Sequence, residues 1–345
     1  MKSNVDKGVV FWLLIGCFLV MVMVVVGGLT RLTHSGLSMV QWSLFMEIIP
    51  PLSVSDWEKT FQLYQLTPEF KLKNYHFTLE EFKAIFWWEY IHRMIGRLIG
   101  LVFIFPFCYF LLKKRIRKGL IRKLLLACVL GALQAGMGWF MVKSGLVKDP
   151  SVSHYRLAAH LIIAFILYGY LLWLVLDECY SDRFKIKTVY LRPVGVLIFL
   201  TLFQIVFGAF ISGLKAGLVY NTFPMMGDRW IAESVIFAFE KNGMISIFEN
   251  LASVQLVHRY LGLMVLIGAL YLWLQRPKQT LNMEQAYSLK FLLIAVSLQV
   301  LLGICTLLYA VPIGLAAIHQ LGALVLFTSE LLYYYYTLKP SARVG

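Results

Sequence analysis

The five cysteines of this chain, Cys17, Cys108, Cys128, Cys179 and Cys305, stand singly in or beside apolar stretches. There is no CxxC, no CxxCH and no pair in a polar loop. Structural zinc, covalent haem attachment and a regulatory disulfide therefore lose their usual basis in sequence. Charge is sparse too: Asp, Glu, Lys and Arg make up 14% of the residues against 60% hydrophobic ones, and the mean hydropathy is +0.74. Soluble domains carry about 25% charged residues, so an ordinary soluble globule is excluded. Acids are scarcer than bases, 18 against 32, which raises the question of an anionic or nucleic-acid partner.

The distribution of the bases answers it. Eight apolar runs, at 9–28, 88–112, 121–142, 156–176, 190–212, 253–274, 288–310 and 315–337, each approach the roughly 20 residues needed to cross a hydrocarbon layer. The fold class expected is an all-α membrane protein with eight transmembrane helices. Seven positive residues crowd Lys113 to Lys123, between the second and third runs, with no acid among them. Arg183, Lys185, Lys187 and Arg192 follow the fourth run, and Arg276, Lys278 and Lys290 the sixth. Short loops rich in Lys and Arg stay on the cytoplasmic side, so both termini are expected inside, and Lys2 and Lys7 read as the start of an uncleaved signal anchor. The long loop, about 29–87, falls on the opposite side; from Glu47 to Glu89 it holds seven acids and four lysines. The basicity is a topology signal, and the partner it implies is the lipid bilayer, not nucleic acid.

A connection this long is usually functional or has structure of its own. Ser55 to Leu66 reads as an amphipathic helix at the interface, with Trp57, Phe61 and Tyr64 at three-to-four spacing. Thr78 and Glu81 have the spacing of a capping box, which starts the second membrane helix. Gly131, Ala135 and Gly138 suggest a close helix contact in the third.

Parts of the chain recur. Gly27 to Leu37 aligns with Gly208 to Leu218, HRMIG at His92 with HRYLG at His258, and LQAGMG at Leu133 with LQVLLG at Leu298; His160 then corresponds to His319. The expected organisation is two tandem four-helix halves, 1–180 and 181–345. Each has a histidine on its second and its fourth helix, all at similar depth near the outer side. Imidazole inside a membrane helix marks a functional site by default. Zinc or copper takes three or four converging ligands, whereas two histidines from different helices suit axial ligation of a haem iron. One turn beyond each histidine stands a small residue, Gly96, Ala164, Gly262 or Ala323, which leaves room for a porphyrin plane. Arg93, Arg97 and Arg259 are placed to pair with propionates. The halves differ at one position: Glu89 precedes His92 by a helical turn, and Gln255 takes its place before His258. A carboxylate at a haem edge can move protons or hold an electron-deficient intermediate. His34, His76 and His154 read as loop histidines without an assigned role.

With GGLTRLTHSGLSMVQW, the PP and PEF elements of the long loop, EFKAIFWWEYIHRMIGRLIGL, GLVYNTFPMMGDRW, VQLVHRYLG and AAIHQLGALVL, the chain resembles the haem A synthase family. It is most similar to the mitochondrial and proteobacterial branch, which lacks an outer-loop cysteine pair. The resemblance implies an oxidoreductase of the cell inner membrane that converts haem O to haem A for cytochrome oxidase. By the same resemblance His258 and His319 bind a resident haem b as cofactor, with Arg259 beside it. His92 and His160 flank the substrate haem, with Arg93 and Arg97 near, and Glu89 is catalytic; the four histidines are the iron ligands. Haem O is the implied substrate, and a haem O synthase, oxidase assembly proteins and further copies of the chain are the implied partners. A haem carrier or insertion protein and a dihaem b-type membrane cytochrome are the alternatives.

Overall fold

The computed structural model describes residues 6–40, 48–145, 152–180, 191–276 and 281–338. Lys2, Gln41, Trp42, Glu47, Arg183, Lys185, Lys187 and Lys278, which enter the topology and motif readings, lie outside these residues. Among the described residues the long elements are all helices. In chain order they are α1 (Lys7–Leu32), α2 (Val54–Gln65), α3 (Pro68–Leu72), α4 (Leu79–Leu112), α5 (Lys118–Gly145) and α6 (His154–Cys179). Then come α7 (Leu191–Leu214), α8 (Glu233–Asn242), α9 (Ser246–Glu249), α10 (Leu251–Gln275), α11 (Met283–Leu308) and α12 (Ile313–Leu338). Eight of them, α1, α4, α5, α6, α7, α10, α11 and α12, are long and apolar enough to cross a membrane. The chain divides into two compact units, Ile15–Leu167, and Tyr168–Gly345 together with Met1–Leu14.

The helices run past the apolar stretches because polar caps lie beyond them. At the start of α4 the Thr78 hydroxyl accepts from the Glu81 backbone N–H, and the Glu81 carboxylate accepts from the Thr78 N–H at 2.7 Å. Asn282 and Gln285 form the same box on α11, and Asn250 caps α10 through the Ser253 N–H. Each cap contributes about 1 kcal/mol. The 34 residues of α4 span about 50 Å, well beyond a hydrocarbon layer of about 30 Å. Its first turns project from the apolar part of the helix.

Those turns carry the folded part of the long loop. Ser53 and Asp56 close a capping box at the head of α2. The apolar stripe of α2 turns onto α4: Trp57 meets Phe86 at 5.0 Å between ring centroids, Phe61 meets Phe82 at 5.2 Å, and Tyr64 stacks on Phe82 at 5.0 Å. Met39, Tyr64, Phe82, Ile85 and Phe86 form one buried core there. Aromatic pairs of this kind are worth about 0.5–1.5 kcal/mol beyond the area they bury. The segment containing α2 thus forms a cap packed on α4.

In the other unit α7, α10, α11 and α12 pack through Leu197, Val265, Leu292, Val296 and Tyr333. The region between α7 and α10 contains the short helices α8 and α9. Two expectations change. Gly131 has open space where a Cβ would be, and Ala135 is exposed, so neither makes a close helix contact, while Gly138 faces a histidine. His154, read as a loop histidine, opens α6, is 8% exposed and lies against the Tyr155 ring at 4.1 Å.

Candidate functional site

The four histidines come together in pairs. His92 on α4 and His160 on α6 lie near enough to act on each other electrostatically within the first unit, and so do His258 on α10 and His319 on α12 within the second. All four are half-buried. Each ring rests on a glycine of the preceding membrane helix. A Cβ at Gly27 would stand 3.2 Å from His92 Nε2, and one at Gly208 would stand 3.3 Å from His258 Cε1. At Gly138 and Gly303 a Cβ would stand 3.0 Å from the Cε1 atoms of His160 and His319. Such contacts are tighter than real Cβ atoms usually make, so a side chain at these positions would push each ring aside by a few tenths of an ångström.

A polar side chain stands four residues before three of these glycines, one turn along the same helix. Gln134 Nε2 is 3.4 Å from His160 Nε2, Gln204 Nε2 is 3.4 Å from His258 Nε2, and Gln299 Nε2 donates to the His319 carbonyl at 3.0 Å. Gln204 also donates to the His258 carbonyl at 2.9 Å. Before Gly27 the corresponding residue is Met23. The Nδ1 atoms of His160, His258 and His319 are buried without a hydrogen-bond partner from the protein. Buried polar atoms normally have one, and an imidazole that lacks one is a ligand in waiting. Among the described residues no group of three or more His, Cys, Asp or Glu side chains converges. Each unit therefore presents two imidazoles from two helices, a donor set that fits a haem iron.

Two of the small residues one turn beyond the histidines, Gly96 and Gly262, face side chains of neighbouring helices. A Cβ at Gly96 would meet Met23 Cε, and one at Gly262 would meet Gln204 Nε2, each at 3.3 Å. The glycines that touch the imidazole rings lie on other helices.

Glu89 is 2% exposed. Arg93 donates to its Oε1 from Nε at 3.1 Å and from Nη2 at 2.6 Å, while Ser38 Oγ and the Met39 N–H each donate to Oε2 at 2.8 Å. Arg93 Nη2 also donates to the Met39 carbonyl at 2.9 Å. The second unit repeats this frame with the polarity reversed. Gln255, also 2% exposed, donates from Nε2 to the carbonyls of Ala216 and Tyr220, at 2.9 and 3.2 Å. Arg259 donates to Gln255 Oε1 and to the carbonyls of Tyr220, Thr222 and Met225. The backbone offers an N–H where the helix carries an acid and carbonyls where it carries an amide. Arg97 Nη1 donates to Met94 Sδ at 3.3 Å.

A family model described as cytochrome oxidase assembly protein matches residues 10–331 of the chain. The chain belongs to that family. Proteins named heme A synthase are similar to it over nearly their whole length. One from Flavobacterium psychrophilum is 45% identical over 333 residues, covering 95% of this chain and 97% of the relative. One from Nitrosospira multiformis is 45% identical over 336 residues, with 96% and 93% covered. A third, from the Wolbachia of Brugia malayi, is 40% identical over 344 residues, 99% of this chain and the whole of the relative.

In this member of the cytochrome oxidase assembly family, sequence reasoning singled out the histidines, Glu89 and the arginines, and the structure brings Arg93 onto Glu89 and Arg259 onto Gln255. It missed Ser38 and Met39, and Gln134, Gln204 and Gln299. The sequence carries a signal for the glutamines: Gln-x-x-x-Gly occurs at 134–138, 204–208 and 299–303, and Met-x-x-x-Gly at 23–27. Met39 had none, because it acts through its backbone.

Proposed function

We propose that the chain catalyses the haem A synthase reaction, oxidation of the C8 methyl group of haem O to a formyl group, as an oxidoreductase of the cell inner membrane. The observation that carries this reading is the pair of matched histidine frames, of which one holds a buried carboxylate and the other an amide. Converting a methyl to a formyl group removes four electrons and breaks two C–H bonds, so the reacting site needs a group that handles protons. Glu89 supplies it in the unit with His92 and His160, which receive haem O as substrate. Arg93 and Arg97 are the cations nearest that pair along α4. His258 and His319 hold a resident haem b, which when bound supplies electron transfer. Arg259 stands beside it, and its Nε–H, buried without a protein partner, is the donor left for a propionate oxygen. The matched frames support a duplicated chain, halves 1–180 and 181–345, and the Lys- and Arg-rich short loops argue for cytoplasmic termini and sites toward the outer side. A haem O synthase would supply the substrate, and oxidase assembly proteins would receive the product.

Expression of the chain with a haem O synthase, followed by chromatography of the extracted haems, tests the reaction. Haem A accumulates if the reading holds; unaltered haem O refutes it. The glycine contacts give a finer expectation. Gly138→Ala and Gly303→Ala push an imidazole off its seat and weaken haem retention in their own unit by roughly tenfold, as disturbance of the groups that orient ligands generally does. Gly100→Ala and Gly131→Ala, where a Cβ meets open space, leave it unchanged. Pyridine haemochrome assays on the purified variants measure the difference.

A further inference from the structure

Between the exposed faces of α7 and α10 runs a trough of about 550 Å³ that has no part in the chemistry described so far. The two helices are antiparallel: Gln204 reaches His258 toward one end, and Arg192 and Tyr271 line the trough together at the other. The walls are apolar. Val196 and Leu200 supply one side, Met264 and Ile267 the other. A Cβ at Gly268 would stand 2.9 Å from Leu197 Cδ1, so the floor is closed by Leu197 lying on the bare backbone of α10. Arg192 and Leu200 are more than two turns apart on α7, about 12 Å along the axis. That is close to the depth of one leaflet, half of a hydrocarbon layer of about 30 Å.

The polar groups stand at one end only. Arg192, on the first turn of α7, is exposed and makes no ion pair or hydrogen bond among the described residues. Tyr271 is half exposed, and its hydroxyl has no partner among them either. No acid is among the residues that line the trough. Arg276, the other cation at this end of α10, is turned onto the Trp273 ring, 3.4 Å from its centroid. A guanidinium and a phenol at the mouth of an apolar trough match a phosphate ester that carries a hydrocarbon chain.

We propose that this trough binds one anionic phospholipid, with its phosphate on Arg192 and Tyr271 and an acyl chain laid between α7 and α10. Charge complementarity selects the occupant. The mouth offers a cation and no acid, so an anionic headgroup is preferred to a zwitterionic one, whose own positive charge would face Arg192. A free phosphate ion gains the guanidinium but leaves the apolar walls uncovered. An isoprenoid quinone carries carbonyls on opposite sides of its ring, whereas the polar groups here share one end. The trough stops a turn short of Gln204 on α7, so the lipid braces the helices that carry Gln204 and His258 without entering the histidine frame.

Native mass spectrometry of the full-length protein, relipidated with phosphatidylglycerol or phosphatidylcholine, tests the site. The wild type retains one phosphatidylglycerol per chain in preference to phosphatidylcholine by roughly fivefold, the worth of one basic residue at an anionic headgroup. Arg192→Gln brings the two lipids level, and Arg192→Lys keeps the preference. Val196→Trp, which fills the trough from an exposed position, lowers retention of both lipids with Arg192 intact. Thermal melts follow: phosphatidylglycerol raises the unfolding temperature of the wild type above that in phosphatidylcholine, by mass action, and the gain vanishes in Arg192→Gln. Equal retention of the two lipids by the wild type overturns the proposal, whether or not any variant folds. So does a preference that survives Arg192→Gln, or retention unchanged in Val196→Trp. Release of the lipid by inorganic phosphate alone marks a plain anion site and overturns it too, as does an isoprenoid quinone held there in place of phospholipid.

Discussion

Glu89→Gln stops the conversion of haem O while the protein stays folded and keeps its haem. The substitution preserves shape and removes charge. Three of the four hydrogen bonds to this side chain come from obligate donors, Arg93 Nε–H, Arg93 Nη2–H and the Met39 N–H. An amide satisfies them from its oxygen alone and turns its own N–H groups toward the rest. The second unit carries the amide and solves the problem by presenting the carbonyls of Ala216 and Tyr220. The backbone around Glu89 is therefore built for an acid. Losing a general acid–base group costs about 10²–10⁴ in rate, so haem A in extracts is expected to fall at least a hundredfold. Glu89→Ala loses activity equally and stability as well, because a buried Arg93 left without its carboxylate costs roughly 3–5 kcal/mol. Haem A at wild-type levels in Glu89→Gln, with equal protein, would remove Glu89 from the chemistry. The reverse exchange, Gln255→Glu, sets a carboxylate against two carbonyl oxygens and is expected to lower stability without creating a second reactive site.

The number and order of the membrane helices were legible because hydrocarbon thickness imposes a length and composition that nothing else in the chain imitates. Their ends were less so: Asn250 and Asn282 cap α10 and α11, but only the Thr78 box stood out beforehand. The stripe of α2 was visible as periodicity, yet periodicity says that a face is apolar and not what covers it. Here the cover is Phe82 and Phe86, which needs the tertiary fold. The histidines and Glu89 were readable because polar groups are conspicuous in apolar helices. Their supports were not. Glycine is common in membrane helices, so Gly27, Gly138, Gly208 and Gly303 look ordinary until a ring is seen resting on each.

Replacing His258 or His319 is expected to release the resident haem, whereas replacing His92 or His160 abolishes conversion and leaves that haem in place. The two pairs share a seat but not a grip. His258 is held by Gln204 at both its ring and its carbonyl, and His319 by Gln299 at its carbonyl, so both ligands of this pair are oriented by amides from neighbouring helices. At the position matching Gln204 the first unit has Met23, whose methyl abuts Gly96 and which donates no hydrogen bond. Oriented ligands retain a metal centre about 10–100-fold better than unsupported ones. The difference suits a permanently bound haem in one unit and an exchanging one in the other. Purified His258→Ala and His319→Ala should lack the tightly held b-type absorbance, and His92→Ala should keep it while accumulating haem O in the cell. Gln204→Met, which gives the second unit the side chain of the first, should turn the resident haem into an exchangeable one, with dissociation roughly tenfold faster or more. If His92→Ala loses the tightly held haem instead, the assignments of the two units are reversed. Glu89 would then stand beside the cofactor, and the carboxylate would serve the electron carrier instead of the methyl group being oxidised.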